Sequence, residues 1–210
     1  MKILFIGGTG TISSAITRNL LKRGDEVYLV NRGNRNAEFA GKLHALIVKD
    51  VNNEEELNSV VCKALDEMDG NKRFDAVCDF ICFHKEQVER DIRVFKNITD
   101  QYLVISSASA YAKPVRDHVI TEGTALANPY WQYSREKIEI EETLMNAYRN
   151  DGFPATIIRP SHTYDERSVP LGVHGKFGSY QVIRRMIEGK PVIIHGDGTS
   201  LWRMTFNEDF

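Results

Sequence analysis

Gly7-Gly8-Thr9-Gly10-Thr11-Ile12-Ser13 lies between two stretches of opposite periodicity, and that setting decides how the chain is read. Before it, Lys2–Ile6 is an unbroken run of β-favouring residues, the pattern of a strand buried on both faces. After it, Thr11–Arg23 puts Ile12, Ile16 and Leu20 on one helical face and stops at Gly24. A glycine-rich turn from strand to helix lets the backbone approach a pyrophosphate. The helix start offers unpaired N–H groups at the positive end of its dipole. Gly7, Thr9, Gly10, Thr11 and Ile12 are therefore the candidate cradle for a dinucleotide. The alternative for the same glycines is an ordinary strand–helix turn.

Outward from this loop the alternation continues. Glu26–Val30, Ala45–Val48, Phe74–Phe80, Tyr102–Ile105 and Ala155–Ile158 read as strands. Asn53–Asp69, Lys85–Lys96 and Tyr133–Arg149 read as helices between them, and residues 106–129 as a polar loop. Strands that alternate with longer amphipathic segments predict an α/β fold, a doubly wound parallel sheet covered on both faces. Beyond Pro160 the rhythm loosens. Residues 161–177 read as a loop, Gly178–Glu188 as a helix, and Val192–His195 and Trp202–Phe206 as short strands. The expected division is a dinucleotide-binding domain over 1–160 and a small, incomplete substrate-binding part over 161–210.

Composition narrows the function classes. The 210 residues are 42% hydrophobic and 27% charged, with net charge −2, so a disordered chain is excluded and there is no bulk pull toward nucleic acid or anionic membrane. No run approaches a membrane span, and the apolar start Met1–Ile6 is cut by glycine too early for a signal peptide. Three cysteines without CxxC spacing fit a reduced, cytoplasmic protein. Six histidines (44, 84, 118, 162, 174 and 195) show no metal-ligand spacing, so no metal is expected.

The second strand ends at Asn31-Arg32, about 20 residues past the glycines, where a carboxylate would grip a ribose. Arg32 instead suits a 2′-phosphate, favouring NADP over NAD, or is a solvated loop charge. Asp50-Val51 follows the third strand. Asp50 is a candidate acceptor for the adenine amino group, a cap for the helix near Asn53, or both. Ser106-Ser107 closes the fifth strand, and Tyr133-x-x-x-Lys137 puts phenol and ammonium on one face of the long helix. About half of one such Tyr/Lys match is expected by chance, so placement carries the weight. An ammonium beside a phenol is expected to lower its pKa toward working pH. Tyr133 then acts as general acid/base, Lys137 as its tuner and a ribose ligand, and Ser107 as the hydroxyl that positions the substrate oxygen.

In the order GGTGTIS (7–13), DV (50–51), VISSASAY (104–111), YSREK (133–137), IIRPS (157–161) and HGDGTSLWRMTFNEDF (195–210), nearly the whole chain resembles the extended short-chain dehydrogenases/reductases, in their NAD-dependent epimerase/dehydratase group. The resemblance implies a Rossmann sheet, a nicotinamide cofactor, and Ser107, Tyr133 and Lys137 as catalytic residues. It also implies that Ser106 and the segment Pro160, Ser161, His162 and Thr163 lie near the nicotinamide. The implied substrate is a small molecule, a sugar nucleotide, oxidised, reduced, epimerised or dehydrated. Asn31-Arg32-Gly33 is similar to an atypical branch that includes chloroplast stem-loop RNA-binding proteins.

The sequence departs from that pattern in three places. Ser13 stands where a third glycine is usual, and Asp79-Phe80-Ile81-Cys82 replaces a small, alanine-rich stretch, which makes Phe80 a cofactor neighbour. The chain also stops at Phe210, where family members continue, so a truncated chain is expected to bind cofactor while turning substrate over poorly. The apolar residues of 192–194 and 202–206 are then expected to be exposed and to favour a homodimer. Two other readings stay open: an RNA-binding protein on the same fold, which the acidic balance opposes, and a non-catalytic NAD(P) sensor, which the Ser-Tyr-Lys set opposes.

Overall fold

A computed structural model describes residues 1–168, 170, 178–199 and 201–210. His174 and the later part of the 161–177 loop lie outside the described residues. Six parallel strands form one sheet in the order β3-β2-β1-β4-β5-β6. They are β1 (Lys2–Ile6), β2 (Glu26–Asn31), β3 (His44–Ile47), β4 (Ala76–Asp79), β5 (Tyr102–Ile105) and β6 (Ala155–Ile158). The helices are α1 (Thr11–Arg23), α2 (Glu54–Glu67), α3 (Lys85–Phe95), α4 (Gln132–Asp151) and α5 (Tyr180–Ile187). The fold is the Rossmann-type doubly wound sheet that the alternation predicts, and strand order reverses between β1 and β4, the usual place for a ligand crevice.

Alternation along each strand splits the core in two. Leu4 and Ile6 of β1 join Leu57 and Val61 of α2, Val88 and Phe95 of α3, and Ile140 and Leu144 of α4 in the larger cluster. Ile3 and Phe5 face the other way, onto Ile16, Leu20 and Leu21 of α1. Helix α1 ends as expected, with Gly24 left-handed at φ 88° and its N–H returned to the Leu20 and Leu21 carbonyls.

Two expectations for the C-terminal part are corrected. Val192–His195 is not a strand. It follows Pro191 and finds no neighbouring strand among the described residues, and Ile193 and Ile194 stand 75% and 62% exposed; β-favouring side chains without a ladder do not make a strand. Within the expected 161–177 loop, His162–Tyr164 forms a strand, β7, parallel to β8 (Met204–Phe206), with Tyr164 and Phe206 rings 5.4 Å apart. This small sheet and the turn at Asn207–Asp209 adjoin α1.

Gly8 has φ +79°, and a Cβ there would lie 2.0 Å from Leu29 Cδ1. Gly10 has φ −86°, and a Cβ there would meet only Ser13 Oγ, at 3.6 Å. Gly8→Ala is therefore expected to cost about 2–4 kcal/mol of stability from backbone strain and overpacking. Gly10→Ala is expected to cost under about 1 kcal/mol. Urea denaturation of the two variants side by side checks the difference.

Candidate active site

The glycine loop is the first wall of the site. Gly7 has φ +106°, and a Cβ there would press on Phe80 Cβ and Ile81 Cγ2, each at 3.3 Å. Backbone without side chains is thus required where β1 meets the segment after β4. Ser13, where a third glycine is usual, is 2% exposed and its hydroxyl accepts the Gly10 N–H at 2.9 Å. Thr17 donates to the Gly8 carbonyl at 2.9 Å, tying the loop to α1. The first turn of α1 carries no acidic residue. A bare loop under an uncompensated helix N-terminus fits the phosphates of a dinucleotide; Gly7, Thr9, Gly10, Thr11 and Ile12 would hold them. Phe80 lies edge-on to Phe5, ring centroids 5.1 Å apart, at the border of this loop.

On the adenosine side, Asn31 is occupied by its own turn. Its Oδ1 accepts the Gly33 N–H at 2.7 Å and its Nδ2 donates to Asn36 Oδ1 at 2.7 Å. Arg32 beside it is exposed and makes no ion pair among the described residues. The capping role considered for Asp50 belongs to Asn53, whose Oδ1 accepts the Glu56 N–H at 3.0 Å. Asp50 instead closes a short turn, accepting the Asn52 N–H at 2.9 Å. The Val51 carbonyl accepts from Arg90 at 2.7 Å.

Ser107 and Tyr133 come together at the carboxyl end of β5 and the start of α4, close enough for the Ser107 hydroxyl to act on the phenol. Lys137 lies on the same helix face, its Nζ 5.5 Å from the Tyr133 ring centroid. Its hydrogen bonds go elsewhere: the ammonium is 2% exposed and donates to the Cys82 carbonyl and, at 2.7 Å, to the Ile105 carbonyl. The expected lowering of the Tyr133 pKa is corrected accordingly. Burial pushes the phenol above the ordinary tyrosine value, and the neighbouring Ser107 hydroxyl opposes that shift. Burial also lowers the Lys137 pKa.

The Ser106 hydroxyl is committed to Glu141 of α4, which also takes a forked contact from Arg159, at 3.0 Å from Nε and 2.7 Å from Nη2. Arg159 reaches on to the Tyr111 hydroxyl at 3.1 Å. The side chain of Ser106 therefore serves the joint between α4 and β6. The Pro160 carbonyl accepts the Ala108 N–H at 2.9 Å, which brings the residue-160 segment to the Ser107 loop. Ser161 is exposed, Thr163 pairs with Thr205 in the small sheet, and the His162 ring lies edge-on to Trp202 at 5.7 Å.

The sequence reading missed a chain of hydroxyls behind Ser107. Ser107 Oγ lies 2.9 Å from Ser109 Oγ, which accepts from Ser134 at 2.9 Å, while Asn128 donates to the Ser109 carbonyl at 2.7 Å. The Ser-x-Ser spacing in 107–109 was the available signal. It also missed the aromatic frame of Tyr133: Trp131 at 4.8 Å and Phe83 at 6.5 Å between ring centroids, both exposed. No group of His, Cys, Asp or Glu among the described residues could hold a metal ion, and no described helix is long and apolar enough to cross a membrane.

The family profile described as NAD dependent epimerase/dehydratase family matches residues 92–210, more than half of the chain. The chain belongs to that family. Among curated members it is 23% identical over 209 residues to 2'-dehydrokanamycin reductase of Streptomyces kanamyceticus, covering all of this chain and 55% of that protein. It is 29% identical over 179 residues to UDP-glucose 4-epimerase of Lactobacillus helveticus, covering 76% of this chain and 51% of that one. The chain thus spans about half the length of these relatives. The structure of dTDP-glucose 4,6-dehydratase from Bacillus anthracis in complex with NAD superposes with TM-score 0.76 at 17% identity, covering 99% of this chain and 68% of that one. UDP-glucuronic acid 4-epimerase from Bacillus cereus, with UDP-glucuronic acid and NAD, gives 0.70 at 21% identity, covering 99% and 70%.

With the phenol raised by burial and lowered by Ser107, Tyr133 is expected to stay protonated beyond the range of an exposed tyrosine. Ser107→Ala should move its titration further upward. Tyrosine-selective NMR across alkaline pH, with Tyr133→Phe to assign the signal, checks both statements; an unshifted Tyr133 contradicts them.

Proposed function

We propose that this family member binds NAD(P) across the carboxyl edge of its sheet and acts on a hydroxyl or ketone of a sugar nucleotide, with Tyr133 moving the proton. The observation that carries this reading is the meeting of Ser107, Tyr133 and Lys137 at the same sheet edge as a glycine loop bare enough for a pyrophosphate. The printed activities of the relatives, a reductase and a UDP-sugar epimerase, and the NAD held by structural neighbours support the same class. In this reading residues 1–160 hold the cofactor and 161–210 contribute to the substrate side.

A bound nicotinamide dinucleotide supplies hydride exchange with the substrate carbon. The chain's own residues do the rest. The loop over Gly7–Ile12 and the start of α1 hold the phosphates. Asn31, Arg32, Asp50 and Val51 would border the adenosine side, and Phe80, beside the glycine loop, would be a further neighbour of the cofactor. The backbone of 160–163 borders the other end. Ser107 positions the substrate oxygen; the Tyr133 phenol gives it a proton in reduction, and the Tyr133 phenolate takes that proton in oxidation. Lys137 fixes the loop end at Cys82 against β5 and so holds the start of α4, with Tyr133 on it, in place.

Gly10→Val leaves the fold in place but puts an isopropyl group where phosphates must approach, and should weaken NADH and NADPH binding on the order of tenfold or more by fluorescence titration. In the same titration Arg32→Ala should cost NADPH about tenfold and leave NADH nearly unchanged. Equal losses for the two cofactors would refute the role given to Arg32.

Tyr133→Phe, assayed with UDP-sugars in the protein extended to the length of its relatives, should lower kcat by about 10²–10⁴-fold with cofactor affinity nearly intact. A loss under about fivefold would remove Tyr133 from the chemistry.

A further inference from the structure

Beneath the loops that follow β3 and β4 lies a cluster of buried charge to which the proposed chemistry gives no task. Asp79, Arg90, Asp91 and Tyr102 are all 3% exposed or less. Arg90 on α3 sends Nε and Nη2 to Asp91 Oδ1, at 2.8 and 2.6 Å, and Nη1 to the Val51 carbonyl at 2.7 Å. The Tyr102 hydroxyl donates to Asp91 Oδ2 at 2.7 Å. Asp79, the last residue of β4, accepts the Ile81 N–H on Oδ1 at 2.7 Å. Its Oδ2 has no hydrogen-bond donor; Arg90 Nη2 stands 3.7 Å away. The cluster therefore touches the 50–53 turn at Val51 and the 80–83 segment at Ile81, next to the Cys82 carbonyl that holds Lys137.

We propose that Asp79 and Arg90 are positioning residues that lock these two loops to each other, so that the adenosine side and the Lys137 side of the site share one geometry. The functional meaning rests on the cofactor reading above; the mechanical coupling does not.

The charge balance says how Asp79 does this. Two buried carboxyl groups face one guanidinium, and a second buried carboxylate without donors is strongly disfavoured. Burial, then the neighbouring Asp91, pushes the Asp79 carboxyl well above the usual carboxylate range. Asp91 and Arg90 reach it from α3; Tyr102 of β5 and Cys82 surround the same pair, and Lys137 of α4 faces Cys82. Asp79 thus favours its neutral form, with the proton on the side of Oδ2, which no donor among the described residues meets. One oxygen has to accept from Ile81, and the other has to carry a proton. An amide can do both, and an alkyl group can do neither.

Hydrogen exchange of peptides spanning 50–53 and 80–83, read on the whole chain, tests the coupling. Asp79→Asn should exchange within about twofold of wild type in both segments, rescue by the conservative variant. Asp79→Leu should exchange about tenfold faster in both at once, with NADH binding weakened in step. Arg90→Lys keeps the charge but cannot span Val51 and Asp91 together, and should loosen both segments as well; it decides the matter if Asp79→Leu fails to fold. Loosening of one segment alone, or Asp79→Asn behaving like Asp79→Leu, overturns the proposal. A wild-type chain that binds neither NADH nor NADPH removes the cofactor reading, and the exchange comparison still decides whether the two loops are coupled.

Discussion

A buried ammonium must find acceptors, and Lys137 finds them in carbonyls from two different parts of the chain, Cys82 past β4 and Ile105 at the end of β5. Those two bonds fix the start of α4 against the sheet edge. From there the helix geometry sets Tyr133 one turn earlier, on the same face and beside Ser107. The same contact also holds down the segment whose Phe80 and Ile81 press on Gly7. Removing the ammonium would leave two strand ends without a common anchor and two buried carbonyls without a donor, a cost of about 1–3 kcal/mol for each group left unpaired.

A second polar joint, Ser106–Glu141–Arg159–Tyr111, does comparable work at the far side of α4. Glu141 is 1% exposed, so its charge is tolerable only because Arg159 meets it with both Nε and Nη2. Helix α4 is thus pinned at two points one turn apart, Lys137 and Glu141, each time to backbone or side chains at the carboxyl edge. Parallel topology makes this arrangement economical. With all six strands running one way, every functional loop emerges at a single edge, and one long helix can reach several of them.

The sheet was legible in the sequence because its strands are short apolar runs and its helices carry a 3.6-residue period; β1, β5 and β6 fall where the pattern put them. Tyr133 and Lys137 were legible because i, i+4 spacing dictates a shared face whatever the surroundings. What the sequence could not reveal is which hydrogen bond each side chain makes. Lys137 lay near the phenol as expected, yet its proton donors went to carbonyls, and the Ser106 hydroxyl went to Glu141. Both outcomes depend on long-range neighbours, 55 and 35 residues distant in the chain, that local patterning does not encode. The same reason hid β7: three residues become a strand only because Met204–Phe206 lies beside them.

That β7–β8 pairing also bears on how the chain folds. Its two strands contribute three residues each and are separated by about forty residues, a closure that costs about 3 kcal/mol in chain entropy before any ladder bond forms. Three rungs and one aromatic pair give little in return on their own. The surface of α1, already seated on β1, supplies the rest. The small sheet therefore depends on the large one, through the α1 surface that it adjoins.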